Sequence, residues 1–508
     1  MNNLYQILSE ATDKYPDHCA LIFQEHRISY QQLKEATDRL AGSLADLSLE
    51  KGDRVALMLP NIPHFVMTYF ALLKLGITIV PVSIYFKADE IRHQLEDAEV
   101  KGIIYWEGFR KRVHQAIYEL ETCRRLIVLG QSTEPGERLL TSMIENHAPL
   151  EEIVDVEPDH TALIVYTAGN TGRPRGAELS HLNLLSNAKS CQKFFRLKDT
   201  DGVIGVIPLF HPLGHTLVLG AFLSAGARVV LLTKFQGHQV LECVEKEKIS
   251  YLIGVPSMYR EFIQLEDTDQ WDLSSLAACL SVGDSLKEET LDIFESHFNV
   301  PLLEGYGLSE ASPMVSFNSP SHERKAGSIG MALPGVDMRI VDDYGGEVAM
   351  GQIGEIIVRG DNVMKGYLNK PEATKEALKD GWLHTGDFAQ VGENGFGFVV
   401  VRKKNVIIKS GFNVYPREVE KFLSGHPKIK ESAVIGVPDA VHGEEIHACI
   451  VLKANEQAAE SEIINYTKER IAAYKCPNTI HFYESLPKDP TGRVLREKLK
   501  QDLVHILK

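Results

Sequence analysis

Short apolar runs alternate with amphipathic helical stretches as far as about residue 330 of this 508-residue chain, and that alternation leaves few folds open. Ser29 and Gln32 have the spacing of a helix capping box, and Leu33, Ala36, Leu40, Leu44 and Leu47 then recur at helical intervals. An apolar run at 55–59 follows, then a helical stretch at 64–75 stopped by Gly76, then a second run at 77–80. Similar runs stand at 102–106, 126–130, 203–207, 228–232, 251–255 and 276–282. A strand that feeds a helix and returns as a strand makes a parallel sheet with crossover helices. The expectation is an α/β fold whose large N-terminal part holds two doubly wound subdomains.

From 329 to 401 the texture changes to Gly and Asp turns between short alternating runs at 338–341, 355–358 and 397–401, which predicts a small β-barrel or antiparallel sheet. Beyond the basic turn at 402–405 a smaller α/β unit is expected, with a helix from Pro416, strands at 432–437 and 448–452, and a helix from Ser461 towards Ala473. The expected division is 1–403 and a mobile 404–508, with a hinge near Lys404.

A chain 44% apolar and 24% charged falls in the soluble globular class. Its net charge of -15 argues against nucleic acid or an anionic membrane as the main partner. No uninterrupted apolar run approaches the ~20 residues of a membrane helix. Seven scattered cysteines show no zinc or Cys-x-x-Cys spacing, which fits reduced thiols in the cytoplasm.

Chemistry concentrates first at 166–176, Tyr-Thr-Ala-Gly-Asn-Thr-Gly-Arg-Pro-Arg-Gly, directly after an apolar run at 163–165. Glycines let the backbone approach a ligand, threonines add hydroxyls, and arginines add planar forks suited to phosphate oxygens. The pattern is neither a Walker loop nor a dinucleotide fingerprint. Glu310 closes a Gly-rich segment, Gly305-Tyr-Gly-Leu-Ser-Glu310, and can give a hard oxygen to Mg²⁺. Tyr306, between Gly305 and Gly307, can offer a flat face to adenine. Asp387 in Gly381-Trp-Leu-His-Thr-Gly-Asp387 can accept both ribose hydroxyls; a plain Asx turn is the equal alternative.

With the segments at 402–407, 411–416 and 486–493, these motifs together resemble the adenylate-forming superfamily of acyl-CoA synthetases, adenylation domains and luciferases. The resemblance covers essentially the whole chain, and it looks most like bacterial medium- and long-chain acyl-CoA ligases. It implies that Thr167, Ala168, Gly169, Asn170, Thr171 and Gly172 bind ATP with Tyr306, Gly307, Ser309, Asp387 and Arg402, and that Thr167 and Glu310 hold Mg²⁺. Arg493, Glu310 and Arg175 are the implied catalytic residues. Arg493 and Arg175 stand where lysine is usual in relatives, and a planar fork is not a point charge on a flexible stem.

The segment 208–215, Pro-Leu-Phe-His-Pro-Leu-Gly-His, matches the one that closes over the acyl site, which points to His211; Val282, Gly283 and Asp284 match a second pocket segment. No aspartate lies between Pro208 and Leu219 to hold a substrate amine, which favours a plain carboxylate with an apolar tail. Val282 and Asp284 suggest a pocket narrower or more polar than a long-chain tunnel. Gly411 matches the place where the arm of coenzyme A passes the backbone, and the 15 residues after Arg493 leave no room for a fused carrier domain. The reading is an ATP-dependent acyl-CoA ligase that activates a small-molecule carboxylic acid, a fatty acid first of all, as its acyl-adenylate, with ATP, coenzyme A and Mg²⁺, no nucleic acid, no integral membrane segment, and chain length and a homodimer left open. The alternatives are an enzyme that loads a separate carrier protein and a nucleotide- or acyl-binding homologue without turnover.

Overall fold

The computed structural model describes residues 3–167, 174–283, 286–319, 324–402, 405, 407–409, 412–414, 416–439, 443–469, 471, 475–489 and 492–506. The chain forms two compact units, Met1–Met338 with Val358–His384, and Arg339–Ile357 with Thr385–Lys508.

The first unit is built on two large sheets. In the eight-stranded sheet, Thr78–Pro81, Arg54–Met58, Gly102–Trp106, Arg125–Leu129 and Glu137–Leu139 run parallel in that order. In the nine-stranded sheet the parallel core runs Leu302–Gly307, Ala278–Ser281, Tyr251–Gly254, Gly202–Gly205, Arg228–Leu231 and Cys19–Phe23. The alternation therefore gives the expected α/β fold. Both sheets, however, end in antiparallel strands that periodicity does not reveal. Thr161–Thr167 pairs antiparallel with Arg175–Ser180, and Leu302–Gly307 with Met314–Phe317. Each of these returns borders one of the Gly-rich segments.

The helix Tyr30–Ala45 starts as its sequence requires: Ser29 Oγ accepts from the Gln32 N–H at 3.2 Å and Gln32 Oε1 accepts from the Ser29 N–H at 2.9 Å. The helix predicted at 64–75 spans Pro63–Lys74, with proline in its first turn. Its last residue, Lys74, is 1% exposed and bonds Asp38 Oδ1 at 2.6 Å; Asp38 also takes Lys34 at 2.7 Å and the Tyr5 hydroxyl at 2.5 Å. Burial pushes the Lys74 pKa down and the bond to Asp38 opposes it. Removing one member of a buried pair strands the other charge, so Asp38→Ala should cost about 3–5 kcal/mol of stability. The Asp38→Leu/Lys74→Met double variant should recover most of that loss, as read from urea unfolding midpoints. A double variant no better than the single would refute the stranded-charge account.

Strands Val336–Val341, Ile353–Gly360, Leu378–Lys379, Trp382–Val391 and Gly397–Arg402 make the small five-stranded sheet expected between 329 and 401. In the second unit a further five-stranded sheet is dominated by Ile429–Asp439 against Gly443–Leu452, paired from Ile429↔Leu452 to Asp439↔Gly443. The latter strand starts five residues before the predicted 448, because pairing carries it through the polar Glu444, Glu445 and His447. The helix predicted from 461 towards 473 spans Glu460–Lys468 instead. The seven cysteines form no disulfide, and among the described residues no helix is long and apolar enough to cross a membrane.

Candidate functional site

The antiparallel return after Thr161–Thr167 sets Thr167 opposite Arg175 as Cα partners, so both ends of the Gly-rich segment lie side by side at one end of this strand pair. A Cβ on Gly176 would lie 2.6 Å from Ile164 Cγ2 and 3.3 Å from the Tyr166 ring, which explains glycine beside Arg175. Ala168, Gly169, Asn170, Thr171 and Gly172 lie outside the described residues, as do Asp284, Lys404 and Gly411.

Thr167 meets Glu310 directly. Its hydroxyl donates to Glu310 Oε1 at 3.1 Å, and the Tyr367 hydroxyl donates to the same oxygen at 2.9 Å. The Arg175 guanidinium lies over the Tyr367 ring, 5.7 Å from its centroid, within cation–π range. Glu310 sits in the short 3-10 turn Ser309–Ala311, whose main chain is tied down by the Met364 N–H on Glu310 O at 2.8 Å and by Asn362 Nδ2 on Ala311 O at 3.0 Å. The result is a half-buried cluster of hydroxyls, one carboxylate and one guanidinium. A hard divalent cation held partly by substrate phosphates takes one or two protein oxygens, and Thr167 with Glu310 fits that donor set.

Tyr367 was not singled out as a site residue by sequence reasoning. It belongs to a two-residue strand, Gly366–Tyr367, too short to show any period. Only its pairing with Arg175–Ser180 reveals it.

The glycines flanking Tyr306 have an internal reason. A Cβ on Gly305 would lie 2.2 Å from the Phe317 ring, and one on Gly307 2.3 Å from Pro313 O. They admit the returning strand Met314–Phe317 and say nothing about exposure of Tyr306, which is 7% exposed. His211 is half-buried and its Nδ1 accepts the Leu213 N–H at 3.3 Å. The π-helical stretch Leu213–Ala221 that follows is buried throughout. Within it His215 stacks on Tyr69 at 5.9 Å, and burial, then His211, pushes its pKa down to about 3, so the ring is neutral at ordinary pH. Val282 is buried, and Gly283 has φ +95°, a conformation that suits glycine.

In the second unit, Asp387 and Arg402 are Cα partners across the antiparallel pair of Trp382–Val391 with Gly397–Arg402, so a spacing of fifteen residues becomes direct opposition. Asp387 is 3% exposed and its N–H donates to Thr385 Oγ1 at 3.1 Å, a local bond within the strand. Arg493 closes a turn, its N–H donating to Asp489 Oδ1 at 3.0 Å and its carbonyl accepting from the Asp489 N–H at 2.8 Å.

Among the described residues a further cluster has metal-ligand residue types, His114, Glu134 and Glu137. The Glu137 side chain is fully buried and already serves Tyr105, Arg110 at 3.1 Å and His114 at 3.0 Å. Burial pushes its pKa up, but these bonds and the Glu134 N–H outweigh that and bring it to about 2. A carboxylate so paired with a guanidinium is an ion-pair hub of the fold.

A family model described as AMP-binding enzyme matches residues 8–368, and one described as AMP-binding enzyme C-terminal domain matches 418–493. The chain is 35% identical to a long-chain-fatty-acid–CoA ligase of Bacillus subtilis, with 98% of this chain and 94% of that one covered. Among solved structures it resembles ATP-bound MatB from Rhodopseudomonas palustris, at 29% identity and TM-score 0.91 over 100% of both chains. It also resembles o-succinylbenzoate CoA synthetase from Bacillus subtilis in complex with its acyl-adenylate intermediate, at 28% identity, TM-score 0.85, and 97% and 98% coverage. With both family segments matched in order along nearly its whole length, the chain belongs to the AMP-binding enzyme family.

Proposed function

We propose that this protein is an ATP-dependent acyl-CoA ligase for a carboxylic acid with an apolar tail, a fatty acid in the first instance. The observation that carries the reading is the meeting of Thr167 and Glu310 beside Arg175, at the end of the strand pair from which the Gly-rich segment springs. In the first step a carboxylate oxygen of the acid attacks the α-phosphorus of ATP, and the bond to the β-phosphate bridging oxygen breaks. Acyl-adenylate and pyrophosphate result. In the second step the thiol sulfur of coenzyme A attacks the acyl carbon, its proton is lost, and AMP leaves.

No protein nucleophile is required, so catalysis rests on positioning and charge. Arg175 offers its fork to the phosphate oxygens. Thr167 and Glu310 would hold Mg²⁺, which supplies neutralisation of phosphate charge when bound. Asp387, opposite Arg402, is suited to the ribose. Arg493 serves the first step and Gly411 the second, with Lys404 as the pivot between them. His211 and the buried stretch Leu213–Ala221 are suited to an apolar acyl chain, and the long-chain specificity in the name of the Bacillus subtilis relative supports that substrate class.

The test is acid-dependent pyrophosphate release from ATP and Mg²⁺ across acetate to oleate and aromatic acids, with and without coenzyme A. Release with medium- or long-chain acids, coupled to thioester formation, is expected. Release without thioester would move the reading to an enzyme that loads a carrier protein; silence across the panel would sink it.

A further inference from the structure

We propose that Tyr367 is a positioning residue that holds Glu310 and Arg175 in one geometry, tying the cation-facing carboxylate to the phosphate-facing guanidinium. The inference rests on the reading of the site as one for a divalent cation and ATP.

Gly366–Tyr367 pairs antiparallel with Arg175–Ser180, Tyr367 opposite Ala177 and Gly366 opposite Glu178. Bonds on either side lock this register: Lys365 N–H on Glu178 O at 3.0 Å and Leu368 N–H on Gly176 O at 2.8 Å. Side chains two apart on a strand share a face, so Arg175 is the diagonal neighbour of Tyr367, a separation that long and aromatic side chains span. The Tyr367 N–H donates to Thr374 Oγ1 at 2.8 Å, which fixes the strand from its other side.

From that fixed place the ring does two things. Its face lies under the Arg175 guanidinium at 5.7 Å, and its hydroxyl reaches Glu310 Oε1 at 2.9 Å. Thr167 donates to the same oxygen, so two donors from separate strands orient one carboxylate. The segment that carries Tyr367 also holds the Glu310 main chain, through the Met364 N–H. This arrangement accounts for an arginine at 175: its planar group is the one that stacks on an aromatic face.

The two roles separate by substitution. Tyr367→Phe removes the hydroxyl and keeps the ring; Tyr367→Leu removes both. The probe is Mn²⁺ binding to the full chain with α,β-methylene-ATP, followed by electron paramagnetic resonance, beside affinity for the same nucleotide without metal. Partners that orient metal ligands are typically worth 10–100-fold in metal affinity, so Tyr367→Phe should weaken Mn²⁺ by about tenfold and leave metal-free nucleotide affinity unchanged. Tyr367→Leu should weaken both. In a Glu310→Gln background, Tyr367→Phe should have no further effect on Mn²⁺.

Wild-type Mn²⁺ affinity in Tyr367→Phe, or the same loss with Glu310→Gln present as without it, would overturn the proposal. Should the phenylalanine variant not fold, Tyr367→Leu is put through the same cycle: a loss of Mn²⁺ affinity in excess of the nucleotide loss that is equal with and without Glu310→Gln would again overturn orientation of that carboxylate. Absence of Mn²⁺–nucleotide binding in the wild type would instead refute the underlying reading of the site.

Discussion

Glu310→Gln should lower acid-dependent pyrophosphate release by about 10²–10³-fold, the loss typical when one electrostatic stabiliser of a developing charge is removed. The glutamine oxygen can still accept from Thr167 and Tyr367, as Glu310 Oε1 does at 3.1 and 2.9 Å, so the local shape should persist. What disappears is the negative charge that a cation requires. The defect should therefore be eased by raising Mg²⁺, and the melting temperature should stay near that of the wild type. Activity within threefold of wild type at limiting Mg²⁺ would remove Glu310 from the metal site.

Arg493→Ala should divide the reaction in two. Adenylation measured by pyrophosphate release should fall by about 10²–10³-fold, while thioester formation from supplied acyl-adenylate and coenzyme A should stay near wild type. The turn around Arg493 is made by its main chain, N–H to Asp489 Oδ1 and carbonyl from the Asp489 N–H, so truncating the side chain leaves these bonds in place. Loss of charge from the site is then separable from collapse of the loop. Equal loss in both half-reactions would count against a role confined to the first.

How much of this was legible in the sequence depends on length scale. The parallel layers follow from alternating apolar runs and helices of ordinary length, and the Ser29/Gln32 cap follows from residue type and spacing. Arg175–Ser180 was not read as a strand, because Arg-Gly-Ala-Glu-Leu-Ser has neither a continuous apolar run nor clean alternation; its partners determine it. Tyr367 is hidden for the same reason. Opposition across a two-residue strand is a property of pairing between segments far apart in the chain. The glycines at 305 and 307 were read as leaving Tyr306 a flat face, whereas the need for them comes from Phe317 and Pro313, which sequence alone does not bring near.

The pairing of Thr167 with Arg175 has an evolutionary corollary. The seven residues between them leave and return at one point, so their number and composition can drift without transmitting a register shift to either strand. A lineage could change the segment while keeping its anchors in place. A single-residue insertion within Arg175–Ser180, by contrast, would turn its side chains to the opposite face.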